Sequence, residues 1–179
     1  MRQIATPERI HGFMRKLGAG AHAEAKVYFV GGVTAVLIGW RKTTIDLDLK
    51  IVPENDELLR ATQQLKESLQ LNVEFASPDH FIPVLPGWEE RSLFVAREGK
   101  LSFYHYDPYA QALAKIERGH QQDLADVKEM FQRGLVEPAK LLDFYTQIEP
   151  RLYRYPAIDA GTFRRAVEQA VRSWEPGAS

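Results

Sequence analysis

Apolar positions recur with two different periods along this chain, and the switch between them divides it. Ile10, Phe13, Met14 and Leu17 fall at helical spacing behind Thr6-Pro7-Glu8. That tripeptide supplies an N-cap hydroxyl, a proline at the first helical position and an acid in the first turn. Gly18 and Gly20 are expected to close this helix. Val27 to Val30 is a continuous apolar strand that runs into Gly31-Gly32, and a short apolar helix over 32–38 follows. Ile45 to Val52 alternates apolar and polar residues, the period of a half-buried strand. Pro53-Glu54 opens a helix with Leu58, Leu59, Leu65 and Leu69 on its stripe, and Val73 to Phe75 is a short strand.

The stretch from Ser77 to Trp88 carries Pro78, Pro83, Pro86 and Gly87 and is expected to be loop. Ser92 to Ala96 and Lys100 to Tyr106 form a hairpin around Arg97-Glu98-Gly99. After Asp107-Pro108 only helical periods remain, over 108–118, 120–133, 137–149 and 159–174. The pattern predicts an α/β (α+β) fold: a mixed sheet with flanking helices over 1–106, then a helical C-terminal subdomain over 107–179.

Composition narrows the function classes. The chain has 179 residues, 45% hydrophobic and 26% charged, and a net charge of −1. That balance argues against a constitutive nucleic-acid binder, which is normally basic, and no DNA partner is expected. The absence of cysteine excludes disulfides, thiolate zinc sites and cysteine nucleophiles. The N-terminus alternates charged and apolar residues, so no signal peptide is expected. The longest apolar run, Val27 to Trp40, is shorter than the roughly 20 residues a membrane helix needs. A soluble, cytoplasmic protein is the expectation, with no membrane partner.

The candidate chemistry lies between Val27 and Ile51. Asp46 and Asp48 are two apart on a strand, so their carboxylates project from one face. A strand with one wet face often shows this spacing, and a glycine pair is commonly a turn device. Here both occur together, with Arg41, Lys42 and Thr43-Thr44 immediately before the acids. The turn at Gly31-Gly32 opens a helix, whose first N–H groups suit a phosphate. Two carboxylates with substrate phosphates suit Mg²⁺, or Mn²⁺.

The pattern strand-GG-helix-R-x-x-T-x-D-x-D resembles the minimal nucleotidyltransferase superfamily with the DNA polymerase beta core. In particular it resembles the bacterial nucleotidyltransferase toxins of toxin–antitoxin and abortive-infection systems and their uncharacterised relatives. Gly31-Gly32 replaces the usual Gly-Ser, which removes a phosphate-binding hydroxyl. Pro86-Gly87-Trp88-Glu89-Glu90-Arg91, Asp107-Pro108-Tyr109, Leu113-Ala114-Lys115 and Arg118 with Asp123-Leu124-Ala125-Asp126 look like later motifs of that branch. The resemblance spans about residues 25–135.

It implies a nucleotidyltransferase-like mixed sheet and transfer of a nucleotidyl group from an NTP. The acceptor would be a transfer RNA or other RNA, a protein hydroxyl or a small molecule, and an antitoxin would be a protein partner. Asp46 and Asp48 would hold the metal. Gly31, Gly32, Arg41, Lys42 and Thr44 would line the nucleotide, and Lys115 and Asp123 would be needed for activity. In that reading Lys115 would reach the phosphates and Asp123 the metal or the attacking group, with Asp126 holding the helices together; the alternative for Lys115, Arg118, Asp123 and Asp126 is a salt-bridged helical face. No third metal carboxylate is evident; Glu74 and Asp79 are candidates. A non-catalytic nucleotide-binding or regulatory module of the same fold is the second reading.

Three further features have bland readings beside functional ones. The five histidines lack metal-site spacing. Arg151, Arg154, Arg164, Arg165 and Arg172, with Tyr153, Tyr155 and Trp174, form either an RNA-facing patch or a solvated helix face. Leu135, Leu141, Leu142, Phe144 and Tyr145 form either a partner surface or part of the core.

Overall fold

The computed structural model describes residues 2–174, which form two compact units, 2–77 with Ser92–Tyr106, and Pro78–Arg91 with 107–174. The first is a mixed five-stranded sheet with helices. It contains α1 (Pro7–Gly20), β1 (Ala25–Val30), α2 (Gly32–Ile38), β2 (Asp46–Val52), α3 (Asp56–Ser68), β3 (Asn72–Phe75), β4 (Leu93–Glu98) and β5 (Leu101–His105). The strand order is β3-β2-β1-β5-β4. β1 pairs antiparallel with β2 and parallel with β5; β2 and β3 run parallel, β4 and β5 antiparallel.

Period two assigns the faces. Val27 and Phe29 of β1, Leu47, Leu49 and Ile51 of β2, and Leu101 and Phe103 of β5 are buried in one core with Ile10, Phe13, Met14 and Leu17 of α1. The Phe29 and Phe103 rings stack at 5.6 Å across the parallel pair. Burying each such side chain contributes about 1.5–3 kcal/mol. Asp46, Asp48 and Lys50 alternate with the core residues and stay half-buried.

Local chemistry sets the helix ends. The Thr6 hydroxyl accepts from the Arg9 N–H at 3.2 Å, as its position predicts. The start expected at Pro53-Glu54 moves to Asp56, because the Asn55 side chain accepts from the Leu58 N–H at 2.8 Å and caps the helix there. Gly18 does not close α1. It is buried inside the helix, and a Cβ there would collide with the Glu98 backbone, so its role is close approach to the β4–β5 turn.

The second unit is helical: α4 (Trp88–Arg91), α5 (Pro108–Arg118), α6 (Gln121–Gln132), α7 (Pro138–Ile148) and α8 (Ala160–Arg172). The segment 78–91, expected as loop within the first domain, belongs here and contains a 3-10 turn and α4. Two long-range bonds tie it down: the Tyr155 hydroxyl donates to the Asp79 carbonyl at 2.9 Å, and Arg151 donates to the Val84 carbonyl at 2.9 Å. The chain therefore passes between the units three times, where a single division at 106 was expected. Leu141 and Tyr145 are fully buried in this unit, and Leu142 and Phe144 are half-buried. Among the described residues no helix is long and apolar enough to cross a membrane.

Candidate nucleotide and metal site

Strand β2 carries the two acids on the face away from the core, as its alternation requires. The antiparallel register sets Asp48 opposite Val30, the last residue of β1, so its carboxylate sits where the chain turns. A Cβ built on Gly31 would lie 3.6 Å from Asp48 Oδ2. Gly31 is the N-cap of α2 and has φ +68°, a conformation that L side chains rarely adopt.

Gly32 is needed for a different reason. A Cβ there would overlap the Thr44 hydroxyl and stand 2.7 Å from the Thr44 Cβ, and 3.3 Å from an Arg41 guanidinium nitrogen. Thr44 packs on the bare glycine, bridges to Ala5 through backbone bonds of 2.7 and 3.0 Å, and donates to the Asp46 carbonyl at 3.3 Å. The strand entering β2 is thereby locked to the turn leaving β1. Arg41 is half-buried beside this turn, whereas Lys42 is exposed.

Strand β3 adds side chains that the sequence ranked low. Its parallel register sets Asn72 beside Asp46 and Glu74 beside Asp48. The Asn72 amide donates to Asp46 Oδ1 and, at 3.2 Å, to Glu74 Oε1. Glu74 therefore shares the face of the two aspartates, while Asp79 lies in the 3-10 turn of the helical unit. Among the described residues no group of three or more ligand-type side chains is gathered as a metal cluster. The donors on this face are carboxylate oxygens, a set that suits a hard cation such as Mg²⁺, and Mg²⁺ needs only one or two of them beside phosphate and water.

His105 escaped the sequence reading. It ends β5, paired in register with Phe29, and its Nδ1 is 3.0 Å from the Thr34 hydroxyl in the first turn of α2. Burial pushes its pKa down to about 4, so the ring is neutral at pH 7 and acts as a hydrogen-bonding strut between α2 and the sheet. Spacing offered no signal, because the contact joins residues far apart in sequence.

In the helical unit, Gly119 at φ +71° ends α5 and a new helix starts at Gln121, so Lys115 and Arg118 face acids on a separate element. Lys115 Nζ is 2.8 Å from Asp126 Oδ2 and 3.8 Å from Asp123 Oδ1. Arg118 makes a two-pronged pair with Asp123, at 2.6 and 2.8 Å. Burial opposes ionisation of Asp123, but the Arg118 bonds and charge, Lys115 and the His120 N–H outweigh it and hold the carboxyl below its ordinary range. Asp107, fully buried at the start of α5, moves the other way. Burial pushes it up despite bonds of 2.7 and 3.0 Å from Arg91 and one from the Tyr109 N–H. The Arg91 guanidinium lies 4.2 Å from the Phe144 ring centroid.

The structure thus collects Gly31, Gly32, Arg41, Thr44, Asp46 and Asp48 around one turn of the sheet unit. It pairs Lys115 and Asp123 with each other and with Asp126 and Arg118. In the basic tail, Arg164 is held by Glu149 and Glu168, and Arg172 lies against Glu168, which leaves less of an RNA-facing patch than the sequence suggested. No curated protein and no solved structure matches the chain. A family model does match, over residues 9–173, and by it the chain belongs to the family described as nucleotidyltransferase of unknown function (DUF6036).

Proposed function

We propose that the protein transfers a nucleotidyl group from a nucleoside triphosphate to an acceptor hydroxyl, with Mg²⁺ or Mn²⁺. The observation that carries this reading is the Asp48 carboxylate beside the Gly31 turn, with Asp46 on the same strand face. Family membership supports the reaction class.

Asp46 and Asp48 would hold the cation, and Glu74 lies on the adjoining strand beside Asp48. A bound metal supplies charge neutralisation at the phosphates and at the attacking oxygen. The chain's own residues do the positioning. Asn72 orients Asp46 by its amide bond, Thr44 fixes the approach of β2 to the turn, and Arg41 and Lys42 offer cationic partners for the β- and γ-phosphates. In the transfer, the acceptor hydroxyl gives up its proton to solvent as its oxygen bonds to the α-phosphorus, the bond to the bridging oxygen breaks, and pyrophosphate leaves with that electron pair. Holding the triphosphate in line with the acceptor accounts for much of such catalysis.

Lys115 and Asp123 enter as positioning residues. Each neutralises a buried charge of the other's network, so their loss would disturb the α5–α6 junction.

The test combines calorimetric titration of each NTP with Mg²⁺ and incubation of labelled NTP with total cellular RNA and protein. Saturable binding plus label transfer, both abolished in Asp48→Asn, is the expected result. Binding without transfer to any acceptor would favour the non-catalytic module. Absence of both would defeat the reading.

A further inference from the structure

Helices α6 and α8 both pack on α5 and leave a groove of about 410 Å³ between them. Its walls are Ile116, Leu124, Val127, Phe131, Ala166 and Ala170. α8 directs Phe163 and Val167 into the core and lines the groove with the methyls of Ala166 and Ala170 beside Gln169. The Phe131 and Trp174 rings meet at a tilt, 5.6 Å between centroids, beside it, and Leu124 is left 43% exposed on its wall. An exposed leucine lining an apolar recess is solvated at a cost that an apolar ligand would relieve. The volume falls within the roughly 300–1,000 Å³ range of small-molecule sites.

The polar lining is selective. Lys128, Gln169 and Ser173 contribute, and among the described residues no acidic one does. Lys128 is exposed and has no ion-pair partner among the described residues. An apolar slot with a single uncommitted ammonium is complementary to a molecule with an aliphatic body and one anionic end. We propose that this groove binds an aliphatic monocarboxylate, the chain lying between α6 and α8 and the carboxylate meeting Lys128. The site lies entirely within the helical unit and is independent of the nucleotidyl-transfer reading.

The test is calorimetric titration of the full chain with decanoate and, as the neutral control, decanol. Wild type should bind decanoate saturably. Ala170→Phe, which fills the slot, and Leu124→Glu, which places a like charge on its wall, should each weaken binding at least about tenfold. Lys128→Gln should weaken decanoate by a similar factor and leave decanol unchanged. Leu124 is exposed, so its variant decides the matter even if Ala170→Phe does not fold. Absence of saturation in wild type, or equal affinity in Leu124→Glu, would overturn the site. Equal binding of decanol and decanoate would overturn the assignment of a carboxylate.

Discussion

The Asp48 carboxylate oxygen lies 3.6 Å from the point where a Cβ on Gly31 would stand. Two segments joined only through α2 therefore meet at a turn that has no side chain of its own. Gly31→Ala is expected to destabilise the sheet unit by about 1–3 kcal/mol, since alanine must adopt φ +68°. It should also weaken nucleotide affinity by distorting the turn, since the added Cβ itself meets Asp48 Oδ2 only at van der Waals distance. Denaturant melts with calorimetric titration of NTP·Mg²⁺ measure both; a Gly31→Ala chain with wild-type stability and affinity would remove the turn from the site.

Asp48→Asn is nearly isosteric and sits at a half-buried position, so folding should be retained. The transfer rate should fall roughly 10²-fold or more, by analogy with losing one preorganised electrostatic group. Glu74→Gln should have a smaller effect, because Glu74 is exposed on the neighbouring strand. Rates measured at saturating Mg²⁺ distinguish the two. Full activity in the Asp48→Asn variant would exclude Asp48 from the chemistry.

Lys115→Ala removes the cation between two buried carboxylates and should cost about 3–5 kcal/mol, as for breaking a buried pair. Lys115→Met paired with Asp126→Leu replaces that link by apolar contacts and should recover much of the loss. Recovery of activity along with stability, measured in both variants, marks a positioning role. Restored stability with no activity would instead place Lys115 in contact with the substrate.

Stability should decline with acidity in two windows. His105 has a folded pKa of about 4 against 6.5 for the free side chain, so the unfolded chain takes up the proton first. Its contribution is complete above pH 6.5 and is lost progressively down to about pH 4, on the order of 3 kcal/mol. His105→Gln should flatten the stability curve over that window. Urea midpoints measured from pH 7.5 to 4 test this, and an unchanged slope in the variant would show that another group titrates.

Asp123 acts at lower pH. Its carboxyl is held below the ordinary range, so its stabilisation is present above about pH 4 and disappears as pH falls through the folded value. Asp107 opposes this trend. Its raised pKa gives a contribution present below the ordinary value and lost as pH rises through the folded one. Asp123→Asn should remove the acid transition of the α5–α6 junction, followed by helical circular dichroism between pH 5 and 2. A wild-type transition in that variant would assign it elsewhere.

Much of the scaffold was legible locally. The alternation over Ile45–Val52 sets Asp46 and Asp48 on one face whatever the rest of the chain does, because side chains on a strand alternate. Gly119 similarly announces the break between α5 and α6, since only glycine readily takes the left-handed C-cap. Other features depended on segments far apart in sequence. Glu74 gained its place from the β2–β3 register, and His105 from a hydroxyl on α2. Gly18 and Gly32 looked like turn residues, yet their missing side chains serve the Glu98 backbone and Thr44. Segment 78–91 read as a proline-rich loop ending in the Pro86–Arg91 motif, and its docking is written in the distant Arg151 and Tyr155. Periodicity within one element is a property of neighbouring residues and so belongs to the sequence. Register, close approach and ion pairing join residues that only folding brings together, and the three-dimensional packing alone decided them.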